Sequence, residues 1–110
     1  MRKYIRDLKK RWDKFSLEEQ LANIGAEVGR AAKWQEKDEK LFKGAVNRAL
    51  ELFELTLNDR RWKGHLREIG LSRELFCEAA EKGKIYDTTL KDLENYFTPF
   101  MFFARKQITI

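Results

Sequence analysis

The stretch SLEEQLANIGAEVGRAAKW, Ser16–Trp34, decides how the rest of the chain is read. Ser16-Leu17-Glu18-Glu19 is a capping box: the serine hydroxyl accepts from the third amide of the helix, and Glu19 reaches back to the Ser16 amide. Behind the cap, Leu17, Leu21, Ile24 and Val28 fall on one narrow apolar stripe at ~100° per residue. Beside it runs a second stripe made only of small side chains, Ala22, Gly25, Ala26, Gly29 and Ala32. A glycine inside a helix costs roughly 0.5–1 kcal/mol against alanine. Gly25 and Gly29 therefore predict a close neighbour that offsets the cost, either an aromatic of the last helix such as Phe97 or Phe100, or a second subunit. The other face carries Asn23, Glu27, Arg30 and Trp34. Glu27 and Arg30 are spaced for an ion pair, and Arg30 and Trp34 for a cation–π contact. The group reads as a surface cluster, with a binding hot spot as the sharper alternative.

Helical patterning continues on both sides. Upstream, Ile5, Leu8, Trp12 and Phe15 share one arc and most of the basic residues lie opposite, an amphipathic helix over 2–15. The helix that Ser16 starts is predicted over 17–37. Asp38 caps a helix over 39–57 whose apolar residues cover half the wheel, a face wide enough for more than one neighbour. Only Leu55 is out of place. Asn58-Asp59 is a turn and cap signal. Trp62, Leu66, Ile69, Phe76 and Ala80 favour one helix over 60–81, running through Gly70; the rival division makes Gly70 a C-terminal cap and Ser72 a new start. Gly83 ends that helix. Leu90, Leu93, Phe97, Phe100 and Ala104 predict a last helix over 88–106, kinked at Pro99, although Thr98 could instead cap a short separate helix there. The expected fold is all-α: a compact antiparallel bundle of about five helices in one domain, 1–110.

Composition narrows the function. The net charge of +5 is unevenly placed: residues 1–15 carry seven Lys/Arg against two Asp, while 16–110 are balanced. Arg2, Lys3, Arg6, Lys9, Lys10 and Lys14 form a basic face that could meet phosphates, so nucleic acid is a possible partner through the first helix. The bland reading is a solvated helix face, with Asp13 inside the basic arc. No uncharged apolar run approaches the ~20 residues that span a bilayer, and MRKYIRDLKKRW lacks the apolar region of a secretory signal, so membrane attachment is not expected. Cys77 is the lone cysteine, which excludes an intrachain disulfide and fits a reducing, cytoplasmic setting. With one histidine and one cysteine, no Cys/His zinc site can be assembled, and no metal or cofactor is expected.

One short motif resembles a known family. Arg60-Arg61-Trp62-Lys63-Gly64-His65 has the Arg-x4-His spacing that HEPN domains, small helical bundles, carry at a helix start. In active members the motif builds a composite ribonuclease site across a dimer. The resemblance implies a phosphate-clamping role for Arg60 and an acid/base role for His65, without a metal. Here the residue after the arginine is Arg61, where active members carry a smaller polar group. LANIGAEVGRAAKW and NRALELFELTLNDRRW also resemble small uncharacterised prokaryotic helical proteins.

Phe97, Phe100, Phe102, Trp34 and Trp62 supply more large aromatics than a small bundle needs, and surplus apolar surface marks a protein contact. The expectation is a non-enzymatic interaction module, a homodimer, with a protein partner as a further candidate. The close-packing set is Gly25, Gly29, Ala22, Ala26, Ala32, Phe100 and Phe102. The alternative is an HEPN-like RNA-binding or RNA-cleaving domain using Arg60 and His65.

Overall fold

The computed structural model describes residues 9–83 and 86–108, with Met101 and 103–108 described by backbone alone. Residues 9–12 are helical (α1). They are followed by α2 (Leu17–Trp34), α3 (Glu39–Leu57), a 3-10 helix, η1 (Arg60–His65), α4 (Leu66–Ala80) and α5 (Leu90–Ile108). No strand occurs among the described residues, and the all-α bundle expected from the periodicity is what forms.

α2 is the central helix, packed chiefly against α5 and α3. The capping box forms as read: Glu19 N donates to Ser16 Oγ at 3.2 Å, and Ser16 N to Glu19 Oε1 at 3.0 Å. Ile24, Val28 and Ala31 of α2 meet Ala45, Ala49 and Phe53 of α3, Ile69, Phe76 and Ala79 of α4, and Leu90, Leu93 and Phe97 of α5 in one core. Phe53 lies 5.8 Å from Phe76 and 6.3 Å from Phe97, centroid to centroid, so a single α3 ring ties α4 to α5. The wide apolar face of α3 does serve several neighbours, and Leu55, misplaced on the wheel, packs against the core as well. Leu41 stays exposed.

The small-residue stripe has its partner within the chain. Gly29 and Ala32 look across a depression at Thr89, Leu90, Lys91 and Glu94 of the α5 start. A Cβ on Gly29 would stand 2.6 Å from Glu94 Oε2, so an acidic side chain, not an aromatic ring, occupies that space. Of the stripe only Gly25 is fully buried; Ala22, Ala26, Gly29 and Ala32 are half-buried. Ala31, three residues after Val28 and seven after Ile24, continues the large apolar stripe and is fully buried.

Three boundaries differ from the periodic reading. α2 stops at Trp34, whose carbonyl accepts from Lys37 N and Asp38 N and turns the chain into the Asp38 cap of α3. The helix expected over 60–81 is continuous through Gly70 but begins only at Leu66. Asp59 Oδ1 accepts from Arg61 N, two residues on, and Trp62 leaves helical geometry (φ −102°, ψ 24°), so the first turn winds as a 3-10 helix. Leu66 is thereby rotated out to solvent. The last helix runs Leu90–Ile108 with Pro99 inside it. Thr89 and Asp92 form its reciprocal cap: Asp92 N donates to Thr89 Oγ1 at 3.0 Å, and Thr89 N to Asp92 Oδ2 at 3.1 Å.

The end of α4 is a Schellman motif, with Gly83 N donating to Glu78 O at 2.8 Å and Lys82 N to Ala79 O at 3.2 Å. The left-handed residue such a motif requires is Lys82 (φ 56°); no described glycine has a positive φ. The glycine thus sits one position late. Lys82→Gly is expected to stabilise the protein by about 1 kcal/mol, since a side chain in this conformation is strained by that order. The exposed Lys82–Glu36 ion pair that is lost is worth little. A thermal midpoint raised by about 4 °C checks it.

One buried polar network joins four elements. Gln20, fully buried, donates through Nε2 to Trp12 O (3.0 Å) and Asp59 Oδ2 (3.1 Å), and accepts from Trp62 Nε1 (2.9 Å). Trp12 Nε1 donates to the buried Thr56 Oγ1 at 3.0 Å. Arg61 closes the network on Asp59, Nη2 to Oδ2 at 2.6 Å. The Arg61 hydrogen bond, with help from Gln20, holds the Asp59 carboxyl down to about 2 from its usual 3.8. A depressed carboxylate adds stability above its unfolded pKa and loses it as pH falls through the folded one. That contribution is therefore expected to vanish between about pH 4 and pH 2. Arg61 is partly solvent-screened, so about 1 kcal/mol is at stake. Urea midpoints of Asp59→Asn and the unsubstituted protein should differ at pH 5 and converge near pH 2.

Candidate functional site

α4 and α5 touch only sparingly along their outer faces and leave a trough between them. Near the start of α2 it holds a depression of about 190 Å³, floored by Leu17, Leu21, Ile69 and Phe100 and edged by Glu18, His65, Glu68, Ser72 and Tyr96. Farther along is a second, about 260 Å³, floored by Leu71, Leu75 and Leu93 and edged by Glu68, Ser72, Thr88, Asp92 and Tyr96. Glu68, Ser72 and Tyr96 belong to both, so the two are halves of one channel with Tyr96 at the divide.

Local chemistry holds this divide in place. Tyr96 Oη donates to Glu68 Oε1 at 3.1 Å, and Ser72 Oγ donates to Glu68 O at 3.0 Å. The Tyr96 ring stands edge-on to Phe97 (5.1 Å) and Phe100 (5.9 Å), which belong to the same helix and anchor it in the core. Burial of the ring and the adjacent Glu68 carboxylate raise the phenol above its ordinary pKa. The hydroxyl accordingly acts as a donor to Glu68. Leu71 is 49% and Tyr96 42% exposed, so large apolar groups of the trough lining are open to solvent. A concave surface of this make-up binds apolar side chains and orients them with a few polar contacts.

Arg60 and His65 are both exposed on η1, but they line different depressions. Arg60 faces Leu57, Asn58, Asp59, Lys63 and Leu66, whereas His65 faces the trough. The break in helical geometry at Trp62, between the two, goes with their facing different sides. Cys77 is half-buried and free.

The cluster on α2 is also rearranged. Glu27 is 8% exposed rather than superficial, and it is clamped by Arg30 and by Arg48 of α3, whose Nε donates at 2.9 Å. This ties α2 to α3. With Arg30 held by Glu27, the cation over the half-buried Trp34 ring is Lys33, 4.9 Å from the centroid. Asn23 is exposed and donates to Glu19 O at 2.8 Å.

On the basic face, Lys9, Lys10 and Lys14 are exposed; Arg2, Lys3 and Arg6 lie outside the described residues. Of the close-packing aromatics, Phe100 packs against the protein's own core, whereas Phe102 is 60% exposed. Among the described residues no group of three or more His, Cys, Asp or Glu could hold a metal ion, and no helix is long and apolar enough to cross a membrane. Comparison with protein-family models, curated proteins and solved structures found no match.

Periodicity alone does not point to the trough: Leu71 and Leu75 lie off the stripe that faces the core, and Tyr96 and Glu68 are 28 positions apart. The available signal was a tyrosine beside Phe97 on the last helix, with a leucine pair off the main stripe of α4.

Proposed function

We propose that this protein is a helical interaction module that self-associates through the α4–α5 trough. The observation that carries the reading is the exposure of Leu71 and Tyr96 in a trough also lined by Leu75 and Leu93. Apolar side chains grouped around a concavity give a partner somewhere to insert, which scattered surface leucines do not. Sedimentation equilibrium tests the reading. A mass rising from 13.2 kDa toward twice that value across the micromolar range is expected, with Leu71→Glu holding the protein at the monomer mass. A concentration-independent monomer would overturn it.

A second reading, an HEPN-like RNA-binding or RNA-cleaving domain, draws on the exposure of His65 at the mouth of the trough. Because one chain's Arg60 and His65 open on different sides, a composite centre would take one residue from each copy. Cleavage of a generic RNA, abolished equally by Arg60→Ala and His65→Ala, would support that reading over the first.

A further inference from the structure

Resting on the self-association reading, we infer that the occupant of the trough is the basic N-terminal segment of a second copy. The charges point there. Three carboxylates, Glu18, Glu68 and Asp92, line the trough, and no Lys or Arg does; His65 is the one basic side chain at its mouth. The whole positive excess of the chain lies within residues 1–15. The trough is thus an acidic-rimmed apolar channel on a protein whose net charge is +5.

The complementary feature is in the same sequence. Residues 1–8, MRKYIRDL, lie outside the described residues and combine Arg2, Lys3 and Arg6 with Tyr4, Ile5 and Leu8. Tyr4 and Leu8 are four apart and Ile5 and Leu8 three apart, so a helix would put the three on one side, with Arg2 beside them and Lys3 and Arg6 behind, from where long side chains reach back to a rim. Such a segment matches the trough twice: apolar residues for the floor of Leu71, Leu75 and Leu93, and cations for the rim. Trp12, buried in its own core, anchors the base of the segment in each copy. If each copy lends its segment to the other, the exchange closes on two chains and leaves no free trough to propagate.

Charge reversal tests this without truncating the chain. Asp92 is left alone because it caps α5. One variant carries Glu18→Lys and Glu68→Lys; the other carries Arg2→Glu, Lys3→Glu and Arg6→Glu. Each alone is expected to dissociate at least about tenfold more readily than the unsubstituted dimer, the scale of one to two lost charge pairs. Mixed in equal amounts they should regain a dimer, since every reversed segment then meets a reversed rim. Glu68→Gln, which keeps the acceptor for Tyr96, should weaken the dimer less than Glu68→Lys, and circular dichroism establishes that each variant is folded. Reversed variants that dimerise like the unsubstituted protein, or a mixture that stays monomeric, would overturn the inference while self-association stands. An unsubstituted protein that is itself monomeric throughout removes both.

Discussion

Replacing Trp12 by alanine is expected to cost about 4 kcal/mol, within the ~3–5 kcal/mol typical of emptying an aromatic core site. Trp12 is 2% exposed, stands edge-on to Phe15 at 5.6 Å, and donates its indole N–H to the buried hydroxyl of Thr56. Its carbonyl also accepts from Gln20. Loss of the ring therefore removes apolar burial, an aromatic pair and a buried hydrogen bond at one position. Trp12→Phe separates these effects. It keeps much of the volume and deprives Thr56 of its donor, so a loss of about 1–2 kcal/mol is expected. Urea denaturation monitored by circular dichroism measures both, and Trp12→Phe remains readable if the alanine variant does not fold. A Trp12→Ala midpoint equal to that of the unsubstituted protein would mean that α1 is not docked.

Gln20→Leu is expected to cost about 2–3 kcal/mol, although leucine fills a similar volume and is more apolar. The penalty comes from what is left behind. Trp12 O keeps Phe15 N as a donor, and Asp59 keeps Arg61. The Trp62 indole loses the acceptor that draws it toward α2. An unpaired buried donor costs about 1–3 kcal/mol, and burial of two extra methyl groups offsets part of it. A double-mutant cycle with Trp62→Phe should show coupling of about 1 kcal/mol, because that substitution removes the same hydrogen bond. Zero coupling would place the cost elsewhere in the network. The wider expectation is that η1 owes its 3-10 winding to contacts with Gln20 and Asp59, since no residue of η1 is itself fully buried.

Features that depend on neighbours within one turn were legible in the residues. The Ser16–Glu19 box, the Asp38 cap, the continuity through Gly70 and the apolar stripe of α2 each rest on contacts within about four positions. The stripe of small residues was legible as a stripe, but not what faces it. Gly29 meets Glu94, 65 positions away, because α5 crosses α2 with its first turns there. Glu27 reads as surface on any wheel, and only the approach of Arg48 makes its burial tolerable. Gln20 carries no mark of its role. Its three partners come from α1, the residue capping η1 and η1 itself.

The candidate site divides in the same way. Arg60 and His65 are adjacent enough in sequence to suggest a pair, and across the break at Trp62 they face different sides. Tyr96, Glu68 and Leu71 suggest nothing together until two helices pack. By itself, the sequence determined the helices, most of their caps and the segregation of positive charge to the first fifteen residues, since periodicity, capping and charge are local properties. Only the tertiary structure decided which helix covers the glycines, which polar side chains are buried, and where α4 and α5 leave a trough. Those outcomes depend on the angles at which helices cross, and crossing angles are set by side chains far apart in the chain.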